Sequence, residues 1–250
     1  MKRIIALIAV AFATAVVGSV YAQRKITFFA SDKLEVTADF YLYDSAAPYI
    51  ILFHKENSSR GEYREIAPKL QKMGFNCLAV DLRSGKESNF VPNETAAAAQ
   101  KKNIPVRNLL DSEKDMLAAM EYIENTATKN RYIILGSSFS ASLAMKVANK
   151  NKKVTAVIAY SPGEYFAPLS VKDWAKEYDR LVYVSSTKRE QPFVNELLEG
   201  IPGELLTKYQ QSGDGVHGVQ ALNNDNPNAG ECWMSLLLFV NKVKEENYNY

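Results

Sequence analysis

Short, solidly apolar runs alternate with stretches whose apolar residues recur every three or four positions. Residues 48–53, 75–80, 132–135, 154–160 and 181–184 are such runs, rich in Ile, Val, Leu and aromatic residues. They suit strands buried on both faces of a parallel sheet. Between them the periodicity predicts helices over 60–73, 109–125, 171–178 and 193–198, and a closing helix over 228–243. Tyr63, Ile66, Leu70 and Met73 mark the buried face of the first and Gly74 its end, and Pro68 should bend it or confine its regular part. A last strand is expected over 204–209. Ahead of all these, residues 25–30 and 34–42 flank the polar turn Ser31-Asp32 and read as a hairpin. No internal repeat or linker divides the chain. The pattern therefore predicts a single α/β domain over 23–250, a mainly parallel sheet with helices on both faces and an N-terminal antiparallel hairpin.

In such sheets ligands bind beyond the carboxyl ends of the strands. Polar turns fall there at 54–61, 137–140 and 161–165, and in the glycine-rich segment that carries His217. The long polar connection at 86–107 is a candidate cleft wall, because extended loops in compact domains tend to be functional. The turn after 132–135 reads Gly136-Ser137-Ser138-Phe139-Ser140, one residue from the nucleophile-elbow pattern G-x-S-x-G. Small residues must flank the central serine, because its backbone is strained and its neighbours nearly touch other backbone. Such a turn would hold the Ser138 hydroxyl at the top of the sheet, with the Phe139 N–H aimed at an oxyanion formed there. The alternative is a serine-rich connection with no chemistry. A hydroxyl nucleophile needs a base, and the chain has only His54 and His217 to offer as histidines.

The first 22 residues differ from the rest. Lys2 and Arg3 precede an uncharged apolar run, and Val20-Tyr21-Ala22 offers small residues where a signal peptidase reads. The expectation is a cleaved secretory signal over 1–22, a mature N-terminus at Gln23, and export to the periplasm or beyond. The apolar run is shorter than the roughly 20 residues that span a bilayer, so no stable membrane insertion is expected after cleavage. Losing Lys2 and Arg3 takes the formal charge from +2 to zero, which gives a nucleic-acid partner no support. Cys77 and Cys232 are expected as two packed thiols rather than a bridge, and no spacing suggests a metal site.

The order of these features resembles the α/β-hydrolase superfamily, and more closely its dienelactone-hydrolase-like and esterase branches. The motifs that carry the resemblance are GSSFS at the elbow, LFHKENSSRGEY after an early strand, GFNCLAVDLRSG after the next, and VHG near the C-terminus. It implies the chain order nucleophile, acid, histidine, with no cofactor. Ser138 would then be the nucleophile, His217 the base and His54 a structural loop histidine. Phe139 N–H would be one oxyanion donor and Glu56 N–H the second, although Lys55 stands where the family's loop has glycine. The acid falls to Glu190, after 181–184, or to Glu164, after the preceding strand, since the expected aspartate is missing. With serine in place of the cysteine common in dienelactone hydrolases, the implied activity is hydrolysis of a small carboxylic ester. Too few residues separate 154–160 from 181–184 for a large lid. A thioester or amide could be cut by the same residues, and a catalytically silent hydrolase fold that binds a ligand or partner remains the alternative of another class.

Overall fold

Each solid apolar run becomes a strand in the computed structural model, which describes residues 23–127, 131–149, 151–176 and 178–247. The expected signal segment, 1–22, lies outside the described residues. In chain order the elements are β1 (Gln23–Phe29), β2 (Glu35–Tyr41), β3 (Tyr49–Phe53), α1 (Ala67–Lys72), β4 (Asn76–Val80), β5 (Glu87–Ser88), β6 (Val91–Pro92), α2 (Glu94–Lys101) and α3 (Glu113–Thr126). They continue as β7 (Tyr132–Ser137), α4 (Phe139–Asn149), β8 (Val154–Tyr160), α5 (Val171–Ala175), β9 (Leu181–Ser186), α6 (Gln191–Leu197), β10 (Leu206–Gln210) and α7 (Ala229–Asn247). The main sheet has the order β1-β2-β4-β3-β7-β8-β9-β10. β2 runs antiparallel to β1 and β4, and the other neighbours are parallel.

The reason the runs are solid is visible in the packing. Ile51, Phe53, Ile134, Val157 and Ala159 face one core with α3, α4, α5 and α6. Their sequence neighbours Ile50, Leu52, Ile133, Leu135, Ala156 and Ile158 face a second core with α1 and α7. With both faces covered, a polar side chain in these strands needs a partner inside the protein, as Asn76 finds in the Tyr43 N–H and Asp44 O and Ser137 in Glu62 and the Val219 N–H.

Several element boundaries differ from expectation. The helix predicted over 60–73 is a 3₁₀ turn, Arg60–Tyr63, followed by α1 with Pro68 in its first turn. Proline lacks the N–H that an interior position needs, so of its two expected effects it confines the regular part of the helix rather than bending it. The helix predicted over 109–125 likewise begins as a 3₁₀ turn, Leu109–Ser112, before α3. Segment 86–107 holds the β5–β6 ladder and α2. It does not line either cleft beside the site described below. Instead it buttresses the loop after β3, with Glu94 on Arg60 at 2.8 Å and Asn93 Nδ2 donating to Leu82 O at 2.9 Å. Arg60 also pairs with Asp81 at 2.6 Å and Asp39 at 3.1 Å, so one buried guanidinium fixes that loop to β2 and to the end of β4. Cys77 and Cys232 are both buried and free.

Candidate active site

The sharp turn from β7 into α4 depends on Gly136, where a Cβ would lie 2.4 Å from Ser140 O and 2.5 Å from the Ala141 backbone. Ser138 sits at φ 61, the left-handed region, and its N–H is anchored to Tyr160 O at 2.8 Å. A non-glycine residue held there costs energy and persists because the surroundings enforce it. Ser140, which takes the place of the pattern's second glycine, does more than fit. Its Oγ donates to Phe53 O at 2.7 Å and accepts from Ser137 N–H at 2.9 Å, tying the elbow to the end of β3. Among the described residues the Phe139 N–H, first in α4, has no acceptor, and neither has the N–H of the exposed Glu56. Those are the two groups expected to receive an oxyanion.

The two histidines are treated very differently. His54 is fully buried, accepts from Leu82 N–H through Nε2 at 2.8 Å, and donates to Lys55 O through Nδ1 at 2.6 Å. Burial pulls its pKa down to about 4. A neutral ring with both nitrogens engaged is a loop brace. His217, half exposed, sets Nδ1 2.5 Å from Glu190 Oε1.

Glu190 reaches His217 although it lies four residues beyond the end of β9, because the intervening turn folds back. Its Oε2 accepts from Thr187 N–H at 2.9 Å and from Ser161 Oγ at 2.8 Å. Burial opposes its charge, but the hydrogen bonds from His217, Thr187 N–H and Ser161 outweigh that and hold the carboxyl down to about 2. Glu164 is not brought to His217. Its oxygens accept from Val171 N–H at 2.7 Å, Lys172 N–H at 2.9 Å and Ser170 Oγ at 3.3 Å, which satisfies the first turn of α5.

Ser138 and His217 make no hydrogen bond to each other. The Ser138 hydroxyl donates instead to Tyr165 Oη at 3.2 Å, and Tyr165 passes its own proton to Ser161 O at 3.3 Å. Engaging a base therefore requires the serine to leave Tyr165.

Four residues with no role in the sequence reading hold these parts in register: Tyr165, Ser161, Ser137 and Glu62. Ser161 Oγ accepts from Gly218 N–H at 2.9 Å while donating to Glu190. Ser137 Oγ accepts from Val219 N–H at 3.1 Å and donates to Glu62 Oε1 at 3.2 Å. Gly218 has φ +70, and a Cβ on it would come within 2.6 Å of Ser137 Oγ. Glu62 is buried, and its other oxygen takes Lys55 N–H at 2.8 Å. Burial raises its pKa against the Lys55 hydrogen bond and charge. One carboxyl thus joins the loop after β3, the elbow and the His217 loop. The only sequence signal was position: Ser161 and Tyr165 fall in a polar turn at a strand's carboxyl end, whereas Glu62 looked like an ordinary polar residue beside a helix face. Glu62→Leu is expected to leave two buried donors unpartnered, at about 1–3 kcal/mol each. Glu62→Gln keeps a carbonyl for Lys55 N–H and should retain most of that stability. Urea unfolding of both variants checks this; equal midpoints would show that the carboxyl holds nothing together.

A family model described as serine aminopeptidase, S33, matches residues 44–216. The chain belongs to this family of α/β-hydrolases. The match spans the loop after β3, the elbow and Glu190, and stops one residue before His217. Solved structures of the same fold include an esterase of Pyrococcus furiosus, 16% identical with a TM-score of 0.66, covering 90% of this chain and 91% of that one. A dienelactone hydrolase from Anabaena variabilis is 12% identical with a TM-score of 0.66, over 88% and 97% of the two chains. The esterase domain of a Rhodothermus marinus protein is 12% identical with a TM-score of 0.61, over 89% and 99%. Among curated proteins none matches the chain significantly in sequence. The family and the strand order together establish a serine-type α/β-hydrolase with an antiparallel N-terminal hairpin.

Proposed function

We propose that this hydrolase cleaves a carboxylic ester through an acyl-enzyme on Ser138. The observation that carries the reading is the Glu190–His217 pair, pinned by Ser161 and Ser137 to the same turn that strains Ser138. Freed from Tyr165, the serine hydroxyl gives its proton to His217 Nε2 as Oγ bonds to the ester carbon. Phe139 N–H and Glu56 N–H receive the oxyanion. Collapse of the tetrahedral intermediate breaks the bond to the alcohol oxygen, which takes the proton from His217. Water then enters, loses a proton to His217 as it bonds to the acyl carbon, and collapse of that intermediate releases the acid while Ser138 Oγ takes the proton back from His217. Glu190, ionised throughout, holds the Nδ1–H tautomer and offsets the imidazolium charge. No step calls on a metal or cofactor. The names of the similar structures, esterase and dienelactone hydrolase, agree with the reaction class, and a thioester or amide could follow the same route.

A fluorophosphonate tests the reading. Covalent capture at Ser138, found by peptide mass spectrometry, supports it. The Ser138–Tyr165 hydrogen bond favours a second reading, a silent hydrolase fold that binds a ligand; an unlabelled serine with tight ligand binding would select it. Export is part of the proposal, on the strength of the basic-then-apolar start of the sequence. Exported material should begin at Gln23, and N-terminal sequencing that returns Met1 would remove it.

A further inference from the structure

Two clefts meet at Glu190, and they differ in chemistry. One, of about 330 Å³, lies between the loop after β8 and α6, with Pro162, Tyr165, Phe193, Val194 and Leu197 on its walls. The other is more open to solvent, and the side chains that line it besides Glu190 are those of Thr187, Arg189, Asp214 and His217, with Gly215 between them. Glu190 lines both, Tyr165 only the first and His217 only the second.

We propose that the Tyr165 cleft is the acyl subsite and the His217 cleft the alcohol subsite, so that the substrates are esters of an uncharged, medium-length or aromatic acid with a short or polar alcohol. This rests on the esterase reading of Ser138 and adds which half of the ester goes where. The leaving oxygen must take its proton from His217, so the alcohol lies on the side that His217 lines. The acyl group remains on Ser138, whose hydroxyl touches Tyr165 Oη at 3.2 Å, at the wall of the apolar cleft. At roughly 30 Å³ for each water-sized group, that cleft holds on the order of ten methylenes. Its fixed charges select against a second acid on the acyl chain. Glu164, Glu190 and Glu196 stand around it, and its one cation, Lys172, is already 2.9 Å from Glu199. Phe193, 74% exposed, is an apolar wall with nothing over it, as expected of a surface that waits for a ligand.

Ethyl octanoate and octyl acetate are isomers that carry the same chain on opposite sides of the ester. The purified mature protein should turn over ethyl octanoate with a kcat/KM at least about tenfold higher, since a few methylenes in an apolar pocket discriminate by that much or more. Phe193→Ala, at an exposed position that leaves the cores alone, should lower kcat/KM for 4-nitrophenyl octanoate several-fold more than for 4-nitrophenyl acetate, because only the longer chain reaches the lost ring wall. The monoester of octanedioic acid should be a poor substrate. Faster cleavage of octyl acetate, or a Phe193→Ala effect equal for both acyl groups, overturns the assignment while leaving the esterase intact. Failure to cleave any ester, with Ser138 unmodified by the fluorophosphonate, overturns the esterase reading and this assignment with it.

Discussion

Ser138→Ala is expected to lower ester turnover by about four powers of ten or more, because the acyl-enzyme cannot form without the hydroxyl and only binding and the oxyanion donors remain. The fold should be unaffected. Among the described residues the hydroxyl's partner is Tyr165 Oη, and Tyr165 keeps its bond to Ser161 O when the serine oxygen is gone. Alanine at φ 61 suffers the same backbone strain as serine, so the elbow gains no new reason to rearrange. The thermal midpoint should therefore match that of the unmodified protein, and the fluorophosphonate should no longer label the chain. A folded Ser138→Ala variant that keeps half its rate would place the chemistry on another residue. The contrast with Glu62→Leu is informative: that substitution should lose stability, whereas Ser138→Ala should lose rate alone.

How much of this was legible in the sequence depended on whether the signal was local. The strands between β3 and β9 could be read because burial on both faces keeps most of their positions apolar, a constraint written residue by residue. The elbow could be read because Gly136 has no substitute where a Cβ would strike the Ser140 and Ala141 backbone. The replacement at Ser140 looked like a departure from the pattern, and only the fold reveals that its hydroxyl is used, on Phe53 O. The first turns of α1 and α3 were misjudged because apolar spacing alone does not distinguish a 3₁₀ entry from an α-helix. Pro68 marked the true start. Glu62, Ser137 and Ser161 were not legible at all: their partners lie 29 to 82 positions away for the bonds that matter, and no short motif records such pairings. The acid was ambiguous for a related reason. Glu190 is distant from its strand in sequence but returned by the Thr187 turn, while Glu164 is close to its strand but drawn off to the start of α5.

That ambiguity sets the second large effect. Glu190→Gln should cut kcat by about four powers of ten, the loss seen when a triad carboxylate becomes an amide. The physical reason is a mismatch of donors. The carboxylate accepts from three groups, Thr187 N–H, Ser161 Oγ and His217 Nδ1. An amide has one oxygen, so if it stays with Thr187 and Ser161 its NH₂ faces Nδ1, and the imidazole must carry its proton on Nε2. A ring in that tautomer cannot take the proton from Ser138. Glu164→Gln, by contrast, should leave kcat within about twofold and cost at most about 1 kcal/mol, as for the loss of a helix cap. Acid titration supplies an independent readout. The folded Glu190 carboxyl holds its charge down to about pH 2 against an ordinary value of 4.5, so between those values the unfolded chain binds a proton that the folded one refuses. The stabilisation from Glu190 is therefore full above pH 4.5 and lost as the pH falls towards 2. The unfolding midpoint of the unmodified protein should exceed that of Glu190→Gln at pH 6, and the gap should narrow through that window. Glu190→Gln at full rate with Glu164→Gln crippled would move the acid to the loop after β8, and a gap independent of pH would mean that the fold does not hold the Glu190 carboxylate charged below its ordinary range.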